Sequence, residues 1–277
     1  MKLGVRAHDY GRHSAAELAG ILKNEGFGAA QLAVPKAIVG IENYEHMTEQ
    51  DVEEIRTRFG EHGVEITVLG CYIDISSTDG TVRESHLKQF GEALKRCKML
   101  GAGMVGTESS YGILDMAAKE RTWNLVEDGV KRLVELAERY GADVGIEPVA
   151  AHTLYSPEWT TRLLERVGSS RLKVIFDPVN LLTGEMIERQ EELWETCFSL
   201  FGEQIAAVHL KDFVVGEEGV FRPCLLGEGL MKFDKIFTWL HREKPDISIL
   251  REEINPLTAH RDIVFMKKLT ASGGGTK

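Results

Sequence analysis

Two short pieces of sequence, Val144-Gly145-Ile146-Glu147-Pro148 and Val174-Ile175-Phe176-Asp177-Pro178-Val179-Asn180, decide the fold. Each apolar run stops on a carboxylate, Glu147 or Asp177, and each carboxylate is followed at once by a proline. Proline donates no ladder hydrogen bond, so both runs read as buried strands ending there. Two acids at the ends of successive buried strands, with a helical segment between them, are costly unless a cation sits between them. We read that cation as a divalent metal, which needs further ligands from elsewhere in the chain.

Outward from this stretch the same unit repeats. Expected strands at 2–7, 28–33, 64–69, 103–106, 144–147, 172–177, 205–210 and 247–252 alternate with expected helices at 14–25, 48–61, 81–100, 119–140, 157–167, 186–201, 233–240 and 259–269. Ser14 with Glu17 three residues on gives a capping box, Thr48 opens the next helix, and Gly63, Gly101 and Gly141 close others. Eight right-handed βα units in 277 residues favour an α/β fold of one (β/α)8 TIM barrel over an open sheet. A single domain over 1–271 is expected, with a flexible tail at 272–277 that holds the one low-complexity piece, Ser272-Gly273-Gly274-Gly275. The longest irregular segments, 35–47, 71–80, 107–118 and 213–231, each follow a strand's C-terminal end, the face on which barrels build their sites.

Charge narrows the partners. With 33 basic against 43 acidic residues the net charge is −10, which argues against nucleic acid, whose binding depends on a basic face. A small molecule is the better expectation. Cys71, Cys97, Cys197 and Cys224 share no CxxC spacing and read as reduced thiols of a cytoplasmic protein. The start, MKLGVRAHDYG, lacks the apolar core of a signal peptide, and no apolar run approaches a membrane span, so no membrane partner is expected. The sequence leaves homo-oligomerisation open.

In a barrel, the residues at or just past the eight strand ends are His8, Gln31, Cys71, Glu108, Glu147, Asp177, His209 and Glu252. The last four are three carboxylates and an imidazole on consecutive strands. That set suits a divalent ion of intermediate hardness, Mn²⁺, Mg²⁺, Co²⁺ or Zn²⁺, and not a thiolate-seeking one. Ligands on adjacent strand ends can converge on one ion and leave positions open for substrate oxygens.

The strand ends GIEP, IFDPVN, AVHLKD and ILREEINP, with the Gly227-Glu228-Gly229 loop between the last two, resemble the xylose isomerase-like barrel superfamily, and within it sugar phosphate isomerases/epimerases akin to ketose 3-epimerases. The resemblance spans about 3–266 and rests on the four strand ends together, each being weak alone. It implies one metal, Mn²⁺ foremost, held by Glu147, Asp177, His209 and Glu252, with Glu147 and Glu252 also acting as acid and base. Glu253 competes with Glu252; strand alternation sets Ser248, Leu250 and Glu252 on one face, and spacing to the family motif favours Glu252. Epimerase and AP-endonuclease branches usually carry a histidine where this chain has Asn180, which argues against a trinuclear zinc site.

Moving a hydrogen beside a carbonyl needs a base for the carbon acid and a means of holding the resulting enediolate, which a Lewis-acidic metal supplies. Return of the proton to the opposite face epimerises; return to the neighbouring carbon isomerises. The expected substrate is therefore a sugar, a sugar phosphate or a related polyol ketone. Candidate substrate contacts are His8, Glu108, His152, Asn180, Lys211 and Arg222, the last by resemblance in place. Plainer roles are available for several: a rim ion pair for Lys211 with Asp212, a core position for His209, a turn for the glycine loop, and helix-to-barrel packing for Trp123, Trp159, Trp194 and Trp239. Alternative functions are dehydration of a cyclic ketone of the inosose or dehydroshikimate type, DNA repair as an AP endonuclease, and non-catalytic sugar binding.

Overall fold

Alternate residues of a strand face opposite sides, so one face of each parallel strand packs under helices and the other lines the barrel. The computed structural model describes residues 1–271, and the tail expected at 272–277 lies outside them. Eight strands, β1 (Lys2–Arg6), β2 (Ala29–Leu32), β3 (Glu65–Gly70), β4 (Met104–Glu108), β5 (Asp143–Glu147), β6 (Leu172–Phe176), β7 (Ile205–Leu210) and β10 (Ser248–Arg251), close in the order β1-β10-β7-β6-β5-β4-β3-β2. Two more, β8 (Asp212–Val215) and β9 (Phe221–Cys224), form an antiparallel hairpin outside the barrel.

The helices around the barrel are α1 (Ala15–Glu25), α3 (Glu49–Glu61), α4 (Gly80–Cys97), α5 (Met116–Tyr140), α6 (Pro157–Val167), α8 (Gln190–Phe201), α9 (Asp234–Glu243) and α10 (Ala259–Ala271). Two single-turn helices, α2 (Val34–Ala37) and α7 (Pro178–Leu181), stand on the rim. Ser14 and Glu17 make the capping box of α1, and Thr48 makes one with Asp51 on α3. Pro178 ends β6 and serves as the first residue of α7, a position that needs no N–H. The helix expected at 186–201 begins instead as a 3-10 segment, Gly184–Arg189, before α8.

The segment 213–231, expected to be irregular, holds most of the hairpin. Its strands are four residues each, too short to declare a period of two, and they are pinned by stacking of Phe213 on Phe221 at 4.3 Å. The tryptophans lie between elements: Trp194 is fully buried against Phe176, Trp123 meets Trp159 edge-on, and Trp239 stacks on Phe198 at 4.3 Å.

Inside the barrel, Ala29, Val68, Met104, Ile175, Ala207 and Leu250 form a separate apolar floor. Large and small residues alternate around it. A Cβ on Gly4 would stand 2.6 Å from Leu250 Cδ2, and one on Gly106 would stand 2.6 Å from Ile175 Cδ1, so only glycine leaves room for those side chains. Two residues beyond Gly4, Ala29, Gly106, Gly145, Ile175, Ala207 and Leu250 come Arg6, Gln31, Glu108, Glu147, Asp177, His209 and Glu252. The period of two thus converts an apolar floor into a polar ring one layer above it, at the C-terminal mouth.

Candidate metal centre and active site

Glu147 closes β5, Asp177 follows β6 as the N-cap of α7, His209 lies on β7, and Glu252 follows β10. None of the four is more than 4 % exposed. Donor atoms of Glu147, Asp177 and His209 lie within 4.8 Å of one another. Glu252 reaches the group through the imidazole: His209 Nδ1 is 3.0 Å from Glu147 Oε2 and 3.3 Å from Glu252 Oε1. Yet His209 Nδ1 and Asp177 Oδ2 are buried with no hydrogen-bond partner among the described residues. Buried polar atoms are nearly always satisfied. Each of these two has a charged neighbour instead, Lys211 beside Asp177 Oδ2 and Glu147 beside His209 Nδ1, and the oxygen and imidazole donors are of the kind that could hold a divalent ion such as Mg²⁺, Mn²⁺ or Zn²⁺.

Fixed cations balance the acids. Lys211 Nζ lies 3.0 Å from Asp177 Oδ2 and 3.4 Å from Glu252 Oε2, and Arg6 Nη1 lies 3.3 Å from Glu252 Oε2. Lys211 and Asp212 are therefore not a rim ion pair. Asp212 instead binds the glycine loop: its Oδ2 accepts from the N–H of Gly227 and Gly229 at 2.9 and 3.0 Å, and its Oδ1 from those of Phe213 and Met231 at 2.8 and 3.0 Å. Gly227 has φ of 84°, the left-handed region that favours glycine.

This crowding separates the groups electrostatically. For Glu252, burial opposes ionisation, but His209, Lys211 and Arg6 outweigh it and hold the carboxyl at about 2. Burial pushes Asp177 up to about 6 despite Lys211. Burial alone would lower His209; Glu252 and Glu147 reverse this and raise it to about 9. Glu108 is pushed up to about 8 by burial and then by Glu147 and Glu252. Burial, then Arg6 and Lys36, lower His8 to about 4.

The other expected contacts surround the quartet. Asn180 Nδ2 donates to Glu147 Oε1 at 2.5 Å, and its backbone N–H donates to Asp177 Oδ1 at 3.0 Å, so it holds two carboxylates in place. Glu108 is the register neighbour of Glu147, and its Oε2 is 3.3 Å from His152 Nδ1. Arg222, on β9, lines a cavity of about 260 Å³ together with Asn180, Lys211 and Glu253. His8 lies edge-on to Tyr72 with ring centroids 6.1 Å apart. Glu253 is exposed, and its φ of 57° turns the chain away directly after Glu252.

Two strand ends were misplaced by the sequence. β1 stops at Arg6, so Arg6, and not His8, is the ring member from that strand. Cys71 belongs to the outer core beneath the helices, while the next residue, Tyr72, reaches Gln31. Counting in twos from Gly4 and Gly70 finds Arg6 and Tyr72; looking only for chemistry-bearing residues after an apolar run does not.

A family model described as the xylose isomerase-like TIM barrel matches residues 20–269. No curated protein matches the sequence. Among solved structures, the apo form of 3-keto-D-glucoside 4-epimerase, YcjR, from E. coli superposes with a TM-score of 0.75 over 97% of this chain and 99% of that one, at 17% identity. A D-tagatose 3-epimerase-like protein gives 0.76 over 98% and 97%, at 18% identity. A xylose isomerase-like TIM barrel protein from Mycobacterium smegmatis in complex with magnesium gives 0.76 over 98% and 97%, at 14% identity. At these identities the likeness is one of fold. Among the described residues no helix is long and apolar enough to cross a membrane.

Proposed function

Because the chain belongs to the xylose isomerase-like TIM barrel family, we propose that it is a divalent-metal-dependent isomerase or epimerase of a sugar, a sugar phosphate or a related polyol ketone. The observation that carries this reading is the buried Glu147, Asp177 and His209 group, in which His209 Nδ1 and Asp177 Oδ2 make no aligned hydrogen bond, with Glu252 beside it. Glu147, Asp177, His209 and Glu252 are the proposed ligands, and Mn²⁺ is the ion we favour. Such an ion, when bound, polarises the substrate carbonyl as a Lewis acid.

The chain's own residues divide the remaining tasks. Glu147 and Glu252 both stand close to His209 Nδ1, at 3.0 and 3.3 Å, and in this reading each faces one side of a substrate lying across the mouth. One abstracts the proton on the carbon beside the carbonyl, and the other delivers a proton back. Asn180 orients Glu147 through its carboxamide. Lys211 and Arg6 hold Glu252 ionised, which fits it to begin as the base. Glu108 and His152 form a pair beside Glu147 that can exchange protons with it or meet a substrate hydroxyl. Arg222 and His8 border the mouth and complete the substrate contacts. Four free cysteines fit a reducing, cytoplasmic setting.

The test is hydrogen exchange in D₂O over a panel of ketoses, ketose phosphates and inososes, with Mn²⁺, Mg²⁺ or Co²⁺ added. Deuterium incorporated at the carbon beside the carbonyl, and lost in Glu147→Gln, supports the proposal. Purified protein with no affinity for any of these ions, or full exchange by Glu147→Gln, overturns it. Formation of an absorbing enone would reassign the chain to dehydration.

A further inference from the structure

Gln31 is the β2 member of the polar ring, 2 % exposed, and belongs to neither the carboxylates nor their cations. Its Oε1 lies 2.6 Å from His209 Nε2, and its Nε2 donates to the Tyr72 hydroxyl at 2.6 Å. A carboxamide oxygen only accepts, so in this arrangement His209 Nε2 carries a hydrogen. The opposite face of the ring then decides what Nδ1 does. Glu147 Oε2 and Glu252 Oε1 stand 3.0 and 3.3 Å from Nδ1, outside hydrogen-bond alignment with it.

Turning the carboxamide end for end would set its NH₂ against Nε2 and force the ring's hydrogen onto Nδ1. That hydrogen would then occupy the place where the lone pair of a ligand is required. With the oxygen toward Nε2, by contrast, the ring suits both of its useful states. A charged imidazolium donates from both nitrogens, and a ligating imidazole keeps Nε2–H while Nδ1 presents a lone pair. In this orientation the carboxamide NH₂ donates to the Tyr72 hydroxyl oxygen at its other end. Tyr72 is itself fixed by the His8 ring at its edge and by Lys36, whose ammonium lies 4.1 Å from its ring centroid.

We infer that Gln31 is a positioning residue: its carboxamide oxygen keeps the His209 hydrogen on Nε2 and so reserves Nδ1 for a divalent cation shared with Glu147, Asp177 and Glu252. The inference rests on the proposed metal site, but the hydrogen on Nε2 is observable without any metal. A partner of this kind fixes the tautomer of a ligating histidine, and its loss typically weakens metal binding about 10–100-fold.

The experiment uses full-length protein labelled with ¹⁵N-histidine, with the His209 signals assigned by their absence in His209→Asn. Metal-free wild type should show an exchange-protected imidazole hydrogen on Nε2. Gln31→Glu, which keeps an acceptor oxygen, should retain it, and Gln31→Met should lose its protection. Calorimetric titration with Mg²⁺ or Zn²⁺ should show affinity falling about 10–100-fold in Gln31→Met. Absence of a protected hydrogen on Nε2 in wild type, or unchanged metal affinity in folded Gln31→Met, overturns the inference. If Gln31→Met does not fold, wild type and Gln31→Glu still decide the hydrogen's position. Wild type that shows the Nε2 hydrogen yet binds neither ion removes the metal reading and leaves the tautomer assignment standing.

Discussion

The rim has two halves that meet across the mouth of the barrel and contribute different chemistry. The arc of β5, β6, β7 and β10 supplies Glu147, Asp177, His209 and Glu252, all capable of ligating a cation. The arc of β1 to β4 supplies Arg6, Gln31, Tyr72 and Glu108, which make ion pairs and hydrogen bonds. The first arc carries groups that are costly to bury together with their nearest cation, Lys211, and the second adds Arg6 and Gln31 as braces beside one further acid, Glu108. Arg6 meets Glu252 on the neighbouring strand, and Gln31 reaches His209 across the barrel, so each brace touches a donor of the other arc. A donor quartet alone would leave Nδ1 and the carboxylate charges to settle in whatever protonation state burial favoured. The lesson is that a site of this kind is a property of the whole ring of strands.

Variants can break that contrast or sharpen it. The largest effects belong to the donor arc: Glu147→Gln and Glu252→Gln are each expected to lower substrate hydrogen exchange by about 10²–10⁴ while the protein stays folded. Equal and trivial losses would mean that neither carboxylate moves a proton. Next comes Lys211→Met, which takes the ammonium from Asp177 and one of three cations from Glu252. Unfolding of the metal-free protein should become easier by about 3–5 kcal/mol, with part of the loss recovered on adding Mg²⁺ or Mn²⁺. Denaturant titration with and without metal checks it.

On the bracing arc, Arg6→Met should reduce exchange only about 10-fold, as expected for a residue acting through another, and should move the acid limb of the pH profile upward because Glu252 loses one of its three cations. A drop as large as that of Glu252→Gln would erase the distinction between the two arcs. The last effect is a gradual dependence of stability on pH. His209 is raised from 6.5 to about 9 in the folded protein, burial being outweighed by Glu252 and Glu147. Its contribution is therefore fully present below pH 6.5 and lost as pH rises through 9. Thermal unfolding of metal-free protein should decline over that window, and saturating Mg²⁺ should flatten the decline.

The two arcs were also unequally legible in the sequence. Glu147 and Asp177 stand out because an acid followed by proline after an apolar run is an odd thing to bury. The strand and helix alternation was equally plain, since α6 and β7 fall where their patterns place them. Arg6 was hidden by an overlong first strand, which drew attention to His8. Gln31 sat in view at its strand end, but a neutral carboxamide announces no chemistry until its partner across the barrel is known. The hairpin β8–β9 escaped because strands of four residues give no period to read, and the tie between Asp212 and the glycine loop is tertiary.

That tie has a bearing on how the mouth would receive charge. Backbone N–H groups in a glycine-rich turn are an obvious berth for a phosphoryl group. In this chain the N–H groups of Gly227 and Gly229 are already occupied by the chain's own carboxylate, Asp212, and a side chain on Gly229 would collide with it. The loop behaves as a receptor that carries its own ligand. A phosphorylated sugar would find those two amides taken and would have to draw its electrostatic welcome from Arg222 and Lys211 on that side, whereas an uncharged sugar would lose nothing by the arrangement.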